Sequence, residues 1–461
     1  MLNDIISDKA SQFGRCEHTE LRAQMNTSVN VTINGGVVVG NSRSENSGVS
    51  CRVLTGGACG FASSSEYNED AVKDVIRAAK DNAGFMAAVA PTKKELRFPD
   101  AKRSFDDKIC YTPAPQKLYA DFARGVDDYI AKKYKNLSNR VVCVRCDSME
   151  KLLTTEAGYT FHTTMPRSYV YIFMEAKTKD NGPVELFRAV GGFGSFEENF
   201  PSYEDVFSEA DKLYEKIMKK SEGVYADAGN KTCILSGNLS GMLAHEAVGH
   251  TTEADLVIGG SVAAHNLGRQ VASPLISMTD FANTAYGERV PLPLWVDDEG
   301  IVCRDTKIIE NGILVGYMNN ADTALRFGMD ALGNARAFSY SDEPLIRMRN
   351  TAILKGNSHI EDMIASVEDG YYLTDTNNGQ ADTSGEFMFG VSMGYEIKNG
   401  RLGRAILDTT ISGIAFDMLK TVDMVADTME WESSGFCGKK QPMPVGLGGP
   451  AIKCKVNIGG R

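Results

Sequence analysis

Three of the five Asn-Gly steps in the chain, Asn34-Gly35, Asn311-Gly312 and Asn399-Gly400, each stand between runs of strand-forming residues, and they constrain the fold more than any other feature of the chain. Asn-Gly supplies the positive-φ pair of a two-residue hairpin, so each step predicts neighbouring antiparallel strands. The flanking runs are Val29–Ile33 with Gly48–Leu54, Lys307–Ile309 with Ile313–Val315, and Tyr395–Ile397 with Ala405–Leu407. Further strand-like runs are Arg140–Cys146 and Ser168–Phe173. Helical spacing interrupts them: residues 66–88 have helical composition, Leu118, Phe122, Val126, Tyr129 and Ile130 follow Pro113 and Pro115, and Val206, Ala210, Leu213, Ile217 and Met218 form another stripe. A last helix is predicted around Ile360, Met363, Ile364 and Val367.

A chain of 461 residues exceeds what one hydrophobic core serves, at roughly 150 residues per domain. The polar stretch Lys220–Lys231 precedes a new strand, Thr232–Leu235, and is the expected boundary. The predicted class is therefore α+β, with an N-terminal α/β module over 1–225 and a β-rich C-terminal domain over 226–461. A net charge of −11 argues against broad nucleic-acid binding, which needs clustered Lys and Arg; the short groups Lys132–Lys135 and Lys219-Lys220 read as solvated helix ends. The opening Met1–Asp8 carries acids and no apolar run of signal-peptide length, and no stretch of about 18 apolar residues occurs, so neither export nor membrane insertion is expected. Ten scattered cysteines then read as reduced thiols of a cytoplasmic protein. Cys143 and Cys146 form a Cys-x-x-Cys, but within a strand they face opposite ways and no second pair follows.

The chemical signal is a window of six residues, His245-Glu246-Ala247-Val248-Gly249-His250, which holds two of the six histidines. It follows Asn238–Ala244, where Asn238 or Ser240 could cap a helix and Met242, Leu243 and Val248 could supply its buried side. Catalytic zinc takes three protein ligands and a water, and a glutamate beside a ligand can accept that water's proton. The familiar spacing, His-Glu-x-x-His, sets both imidazoles on one helical face. Here the interval is five residues, which on a regular α-helix turns the rings about 140° apart. The helix must widen or end, and Gly249 permits either a π-type turn or a left-handed cap. On spacing alone, a metal-free histidine pair at a helix end stays open.

The window and the following Thr251-Thr252-Glu253-Ala254-Asp255 resemble the signature of the TldD subunits in the TldD/PmbA (TldE) family of metallopeptidases. The likeness runs in order along the chain: Gly48–Val53 with Gly60–Ser63, Asp297–Gly300, Ile309–Leu314 with Gly316–Met318, Arg347–Thr351, Ser384–Phe387, and Cys437–Lys439 with Pro444–Gly446. It implies that His245 and His250 bind the metal, that Glu246 is the general base, and that Cys437 is a distant third ligand. Thiolate with two imidazoles suits zinc, although iron or cobalt fits the same donors. Cys454 is the rival thiol, but Ala451–Val456 reads as a terminal strand. Glu253 and Asp255 are candidates to hold an imidazole Nδ1–H or to shape a peptide cleft. Arg347, Arg349 or a backbone N–H are candidates for the oxyanion donor.

The chain departs from the family pattern at Thr251-Thr252, where a small or glycine-containing stretch is usual, and over 330–341, which lacks the usual prolines. The resemblance further implies a zinc-dependent peptidase acting on unfolded or short peptides, and the β-rich half suggests that an extended peptide is gripped by strand addition. It also implies a dimer, either with a PmbA/TldE-like paralogue lacking the histidine motif or with a second copy. The rival class is a non-catalytic binding protein, a gyrase or toxin–antitoxin modulator, which a missing Glu246 would have favoured; hydrolysis of a non-peptide amide is the third reading.

Overall fold

The computed structural model describes residues 6, 9–14, 16–89, 105–107, 111–156 and 158–459. Of the opening Met1–Asp8 only Ile6 is among them. The N-terminal half is one sheet with helices on one face. Its long strands are β1 (His18–Asn34), β2 (Val37–Thr55), β3 (Ala58–Ser64), β5 (Asn139–Thr155), β6 (Thr160–Lys177) and β7 (Pro183–Phe193), with the short β4 (Phe105–Asp107) on β6. The order is β3-β2-β1-β5-β6, and β6 also pairs with β4 and β7. Gly35 and Gly36, both at positive φ, turn the expected first hairpin.

Strand periodicity sorts this sheet into two unlike faces. Leu21, Ala23, Val29, Val31 and Ile33 of β1 join Val142, Val144 and Cys146 of β5 and Val170, Ile172 and Met174 of β6 in the apolar layers. Among the described residues the long helices that cover that layer are α1 (Glu69–Val89), α2 (Gln116–Lys133) and α3 (Phe207–Ser221). The alternate residues, among them Glu20, Arg22, Gln24 and Arg167, are polar and also buried, because the C-terminal half packs on that face.

In the C-terminal half, β8 (Gly229–Leu235) lies between the strands Asp369–Ala381 and Ile452–Ile458. Strands Thr409–Ile414 and Glu386–Lys398 continue the sheet, and the pairing of 386–398 with 369–381 closes a five-stranded barrel. Register shifts along 373–378 bend its wall, as bulges do at barrel rims. A second sheet runs Ile313–Leu314, Thr306–Glu310, Met278–Phe281, Asn350–Ile353, Gly446–Gly449, Glu430–Glu432. Asn311-Gly312 and Asn399-Gly400 are hairpin turns in these sheets, with Asn311 at φ 48° and Asn399 at φ 51°. The whole is α+β, as the sequence implies, and no helix among the described residues is long and apolar enough to cross a membrane.

Between the barrel and the second sheet lies α4 (Gly237–Leu243), the element that carries the histidine window. It begins immediately after β8, and Ser236, not Asn238 or Ser240, is its N-cap. Strand β8 ends at Leu235, so the only residue able to turn extended and still offer an oxygen to the first turn is Ser236. Ser240 instead donates to the Pro450 carbonyl at 2.6 Å. A Cβ on Gly449 would meet the Ser240 hydroxyl at 2.1 Å, which shows how closely the helix lies on the glycine-rich strand 446–449.

Candidate metal centre

Beyond Leu243 the helix widens. Ala244–Gly249 forms a π-turn, in which the His250 N–H reaches the His245 carbonyl five residues back. This is the first of the two distortions the five-residue interval predicts; the left-handed cap is not used, since Gly249 has φ −55°. Gly249 is needed for space rather than for φ: a Cβ there would sit 2.2 Å from Met348 Sδ. The widened turn brings the two imidazoles to a centroid separation of 5.1 Å. The two threonines that break the family pattern close the turn, Thr251 donating to the Val248 carbonyl at 2.8 Å and Thr252 to the Gly249 carbonyl at 2.9 Å. They satisfy carbonyls at a helix end that water cannot reach.

Cys437 arrives from a hairpin in which Phe436–Cys437 pairs with Met443–Pro444. Its Sγ stands 3.4 Å from His250 Nε2, and the ligand atoms of His245, His250 and Cys437 lie within 4.8 Å of one another. Cys454, the rival thiol, pairs across to Cys233 in the barrel core. Glu246 leans over the cluster, one oxygen 3.9 Å from His245 Nε2 and the other 3.7 Å from His250 Nε2. His250 donates Nδ1–H to Glu253 at 2.8 Å, which leaves Nε2 for the thiol side. Glu253 is fully buried and also meets Lys439 Nζ at 3.2 Å; the same ammonium donates to Asp255 at 2.8 Å. Asp255 thus holds a lysine of the cysteine hairpin rather than an imidazole.

Arg347 and Arg349 are fully buried. Arg349 bonds the Asp280 carboxylate and the carbonyls of Leu332 and Arg304. Arg347 gives its two terminal nitrogens to the carbonyls of Cys437, Lys439 and Gln441, and so holds the cysteine hairpin from behind. The geometry gives both arginines backbone-bracing contacts. Lys439 is the residue that motif reading passed over: it lies inside the Cys437–Lys439 match, but its carboxylate partners are 184 residues or more away.

The electrostatics favour a charged donor set. Burial raises the Cys437 thiol, but its proximity to the His245 and His250 rings outweighs that and draws the thiol down to about 3. Burial lowers His250, against which Cys437 and Glu253 raise it to about 10. A thiolate beside imidazoles is a soft, anionic metal site. His245, almost wholly buried, has no hydrogen-bond partner on either ring nitrogen. An orphaned buried polar atom costs about 1–3 kcal/mol, so this ring is built for a partner other than a protein group. Two ligands of tetrahedral zinc stand roughly 3.5 Å apart, which matches the Cys437–His250 spacing. These residues fit the ion.

A mixed α/β fold with a donor cluster of this kind suits a metal-dependent enzyme, and the comparisons with known proteins give the class as metallopeptidase. The PmbA/TldA metallopeptidase C-terminal domain matches residues 228–460, and domain 1 of the same family matches residues 19–83. A metalloprotease of Methanocaldococcus jannaschii is 30% identical over 98% of this chain and 99% of its own length. A zinc metalloprotease TldD homolog of Saccharolobus solfataricus is 33% identical over 54% of this chain and 56% of its own. Among solved structures, TldE from Thermococcus kodakarensis superposes with a TM-score of 0.76 at 16% identity, covering all of both chains. The chain belongs to the PmbA/TldD metallopeptidase family.

Proposed function

We propose that the chain is a single-zinc peptidase in which His245, His250 and Cys437 hold the ion and Glu246 is the general base. The observation that carries this reading is the meeting of one thiolate, one hydrogen-bond-free buried imidazole and one carboxylate-anchored imidazole beneath the Glu246 carboxylate. Zinc held by these residues would supply a Lewis acid for the scissile carbonyl and would acidify the attacking water. Glu246, half-buried, takes the proton of the attacking water and returns it to the leaving amine. Glu253 keeps His250 in the tautomer that presents Nε2, and Arg347 and Lys439 hold the cysteine hairpin against the helix.

Unfolded or short peptides are the proposed substrates, and a PmbA/TldE-like paralogue or a second copy is the proposed partner, in keeping with the likeness to a TldE structure. Residues 1–225 and 226–461 are the proposed structural units, the second carrying the chemistry.

The decisive experiment pairs elemental metal analysis with cleavage of an unfolded peptide library for wild type, Glu246→Gln and Cys437→Ser. Wild type holds about one zinc per chain and cleaves. Glu246→Gln keeps the zinc and loses cleavage by a factor of about 10²–10⁴, and Cys437→Ser loses the zinc. A wild-type chain that takes up no transition metal, alone or mixed with a paralogue, overturns the reading in favour of a protein that acts by binding alone.

A further inference from the structure

Cys437 is reached from the N-terminal sheet as well as from its own half of the molecule. The residue before it, Phe436, is half-buried beneath two guanidinium groups, with the Cζ atoms of Arg145 and Arg167 each 4.8 Å from its ring centroid. Arg167 is almost fully buried and is fixed by a two-pronged bond to Asp147, Nε to Oδ1 at 2.8 Å and Nη2 to Oδ2 at 2.9 Å. Asp147 and Arg167 are cross-strand partners on β5 and β6, so the guanidinium plane is set by the sheet itself. Two further side chains of β6 hold the approach to the hairpin: Tyr169 donates to the Ser433 carbonyl at 2.8 Å and Tyr171 to the Ser434 carbonyl at 2.9 Å. All these residues lie on the polar face of the sheet, opposite the helices. A pairing of cations with an aromatic face in a desolvated setting is directional, and it fixes both the height and the tilt of the ring.

We infer that Arg145 and Arg167, through Phe436 and with Tyr169 and Tyr171 on residues 433–434, are positioning residues that hold the Cys437 thiol in reach of His245 and His250. Retention of the metal then depends on the N-terminal sheet, although no residue of that sheet belongs to the donor cluster. The inference rests on the zinc-site reading above. Its physical basis is that the hairpin 436–444 has a ladder of only two residue pairs and cannot orient a ligand alone. Arg347 holds it from one side, and the sheet holds the chain leading into it.

The test compares zinc dissociation constants by chelator competition, together with the thiolate-to-cobalt charge-transfer band of the cobalt-substituted protein. The set is wild type, Cys437→Ser, Phe436→Leu, Phe436→Trp and the double variant Tyr169→Phe/Tyr171→Phe, with thermal unfolding of each metal-free protein as the measure of folding. Phe436→Leu and the tyrosine pair are expected to weaken zinc by about 10–100-fold and to shift or diminish the cobalt–thiolate band. Phe436→Trp, which keeps a π-face for the guanidiniums, is expected to stay near wild type. The tyrosine pair removes only hydroxyls and is expected to leave the unfolding transition of the metal-free protein close to that of wild type. If wild type binds zinc tightly and Cys437→Ser does not, yet Phe436→Leu and the tyrosine pair match wild type in affinity and spectrum, the positioning role is overturned while the site stands. If wild type and Cys437→Ser bind zinc equally, it is the site reading that fails.

Discussion

Single residues at the centre divide into those that face the reaction and those that hold them. Among the described residues, Glu246 is the only acid with an oxygen within 4 Å of both imidazole Nε2 atoms, whereas Glu253 acts through the back of His250. Glu253→Gln removes the buried negative charge that the His250 Nδ1–H and Lys439 share. Metal affinity is expected to fall by about 10–100-fold with the fold retained, as chelator competition would report. An unchanged affinity would reduce Glu253 to a helix-end acid. The two histidines and Glu246 were legible because they fall within one window. Cys437 came only from resemblance, since nothing local distinguishes it from nine other cysteines. Lys439 and the loop-holding work of Arg347 were not legible, because their contacts span about 90 residues or more.

At the level of the element, the histidine turn depends on a close approach between two segments distant in sequence. The five-residue interval already required a distorted helix, and a glycine before the second histidine allowed two distortions. The choice between them was made by packing. Met348, almost fully buried beside the 350–353 strand, occupies the space a side chain on residue 249 would need. The π-turn and the methionine therefore fit together, and the threonine hydroxyls complete the turn's hydrogen bonding. Gly249→Ala is expected to cost about 1–3 kcal/mol in urea unfolding, as overpacking of a buried contact does. A double-mutant cycle with Met348→Ala is expected to show coupling of at least about 0.5 kcal/mol; strict additivity would place the strain elsewhere. The N-cap shows the same dependence, because Ser236 became the cap only where β8 happened to stop.

Across the whole molecule, the two halves meet through buried ions. Asp298 takes Lys151 Nζ at 2.7 Å and the Ala337 N–H at 2.8 Å and stands 3.3 Å from Arg22, while Arg52 bridges Glu20 and Glu299 at 2.8 and 2.7 Å. Burial raises the Asp298 carboxyl, but the charges of Lys151 and Arg22, with the bonds from Lys151 and Ala337, hold it below its ordinary 3.8. A carboxyl held below its unfolded value contributes stability that is complete above about pH 4 and is lost as pH falls through the folded value. Asp298→Asn leaves two buried cations short of a counter-charge, so it is expected to cost about 3–5 kcal/mol at pH 7. The gap to wild type should narrow below about pH 4 in urea unfolding; a constant gap would mean the ion pair is not its source. By itself the sequence determined the hairpins, the main helices, the α+β class and the distorted histidine turn, because these follow from residue period and local sterics. Only the tertiary structure decided that the polar face of the N-terminal sheet is buried and what holds the Cys437 thiol against the histidines. Those outcomes depend on which distant surfaces exclude water from each other, and that is not a property of any local stretch of chain.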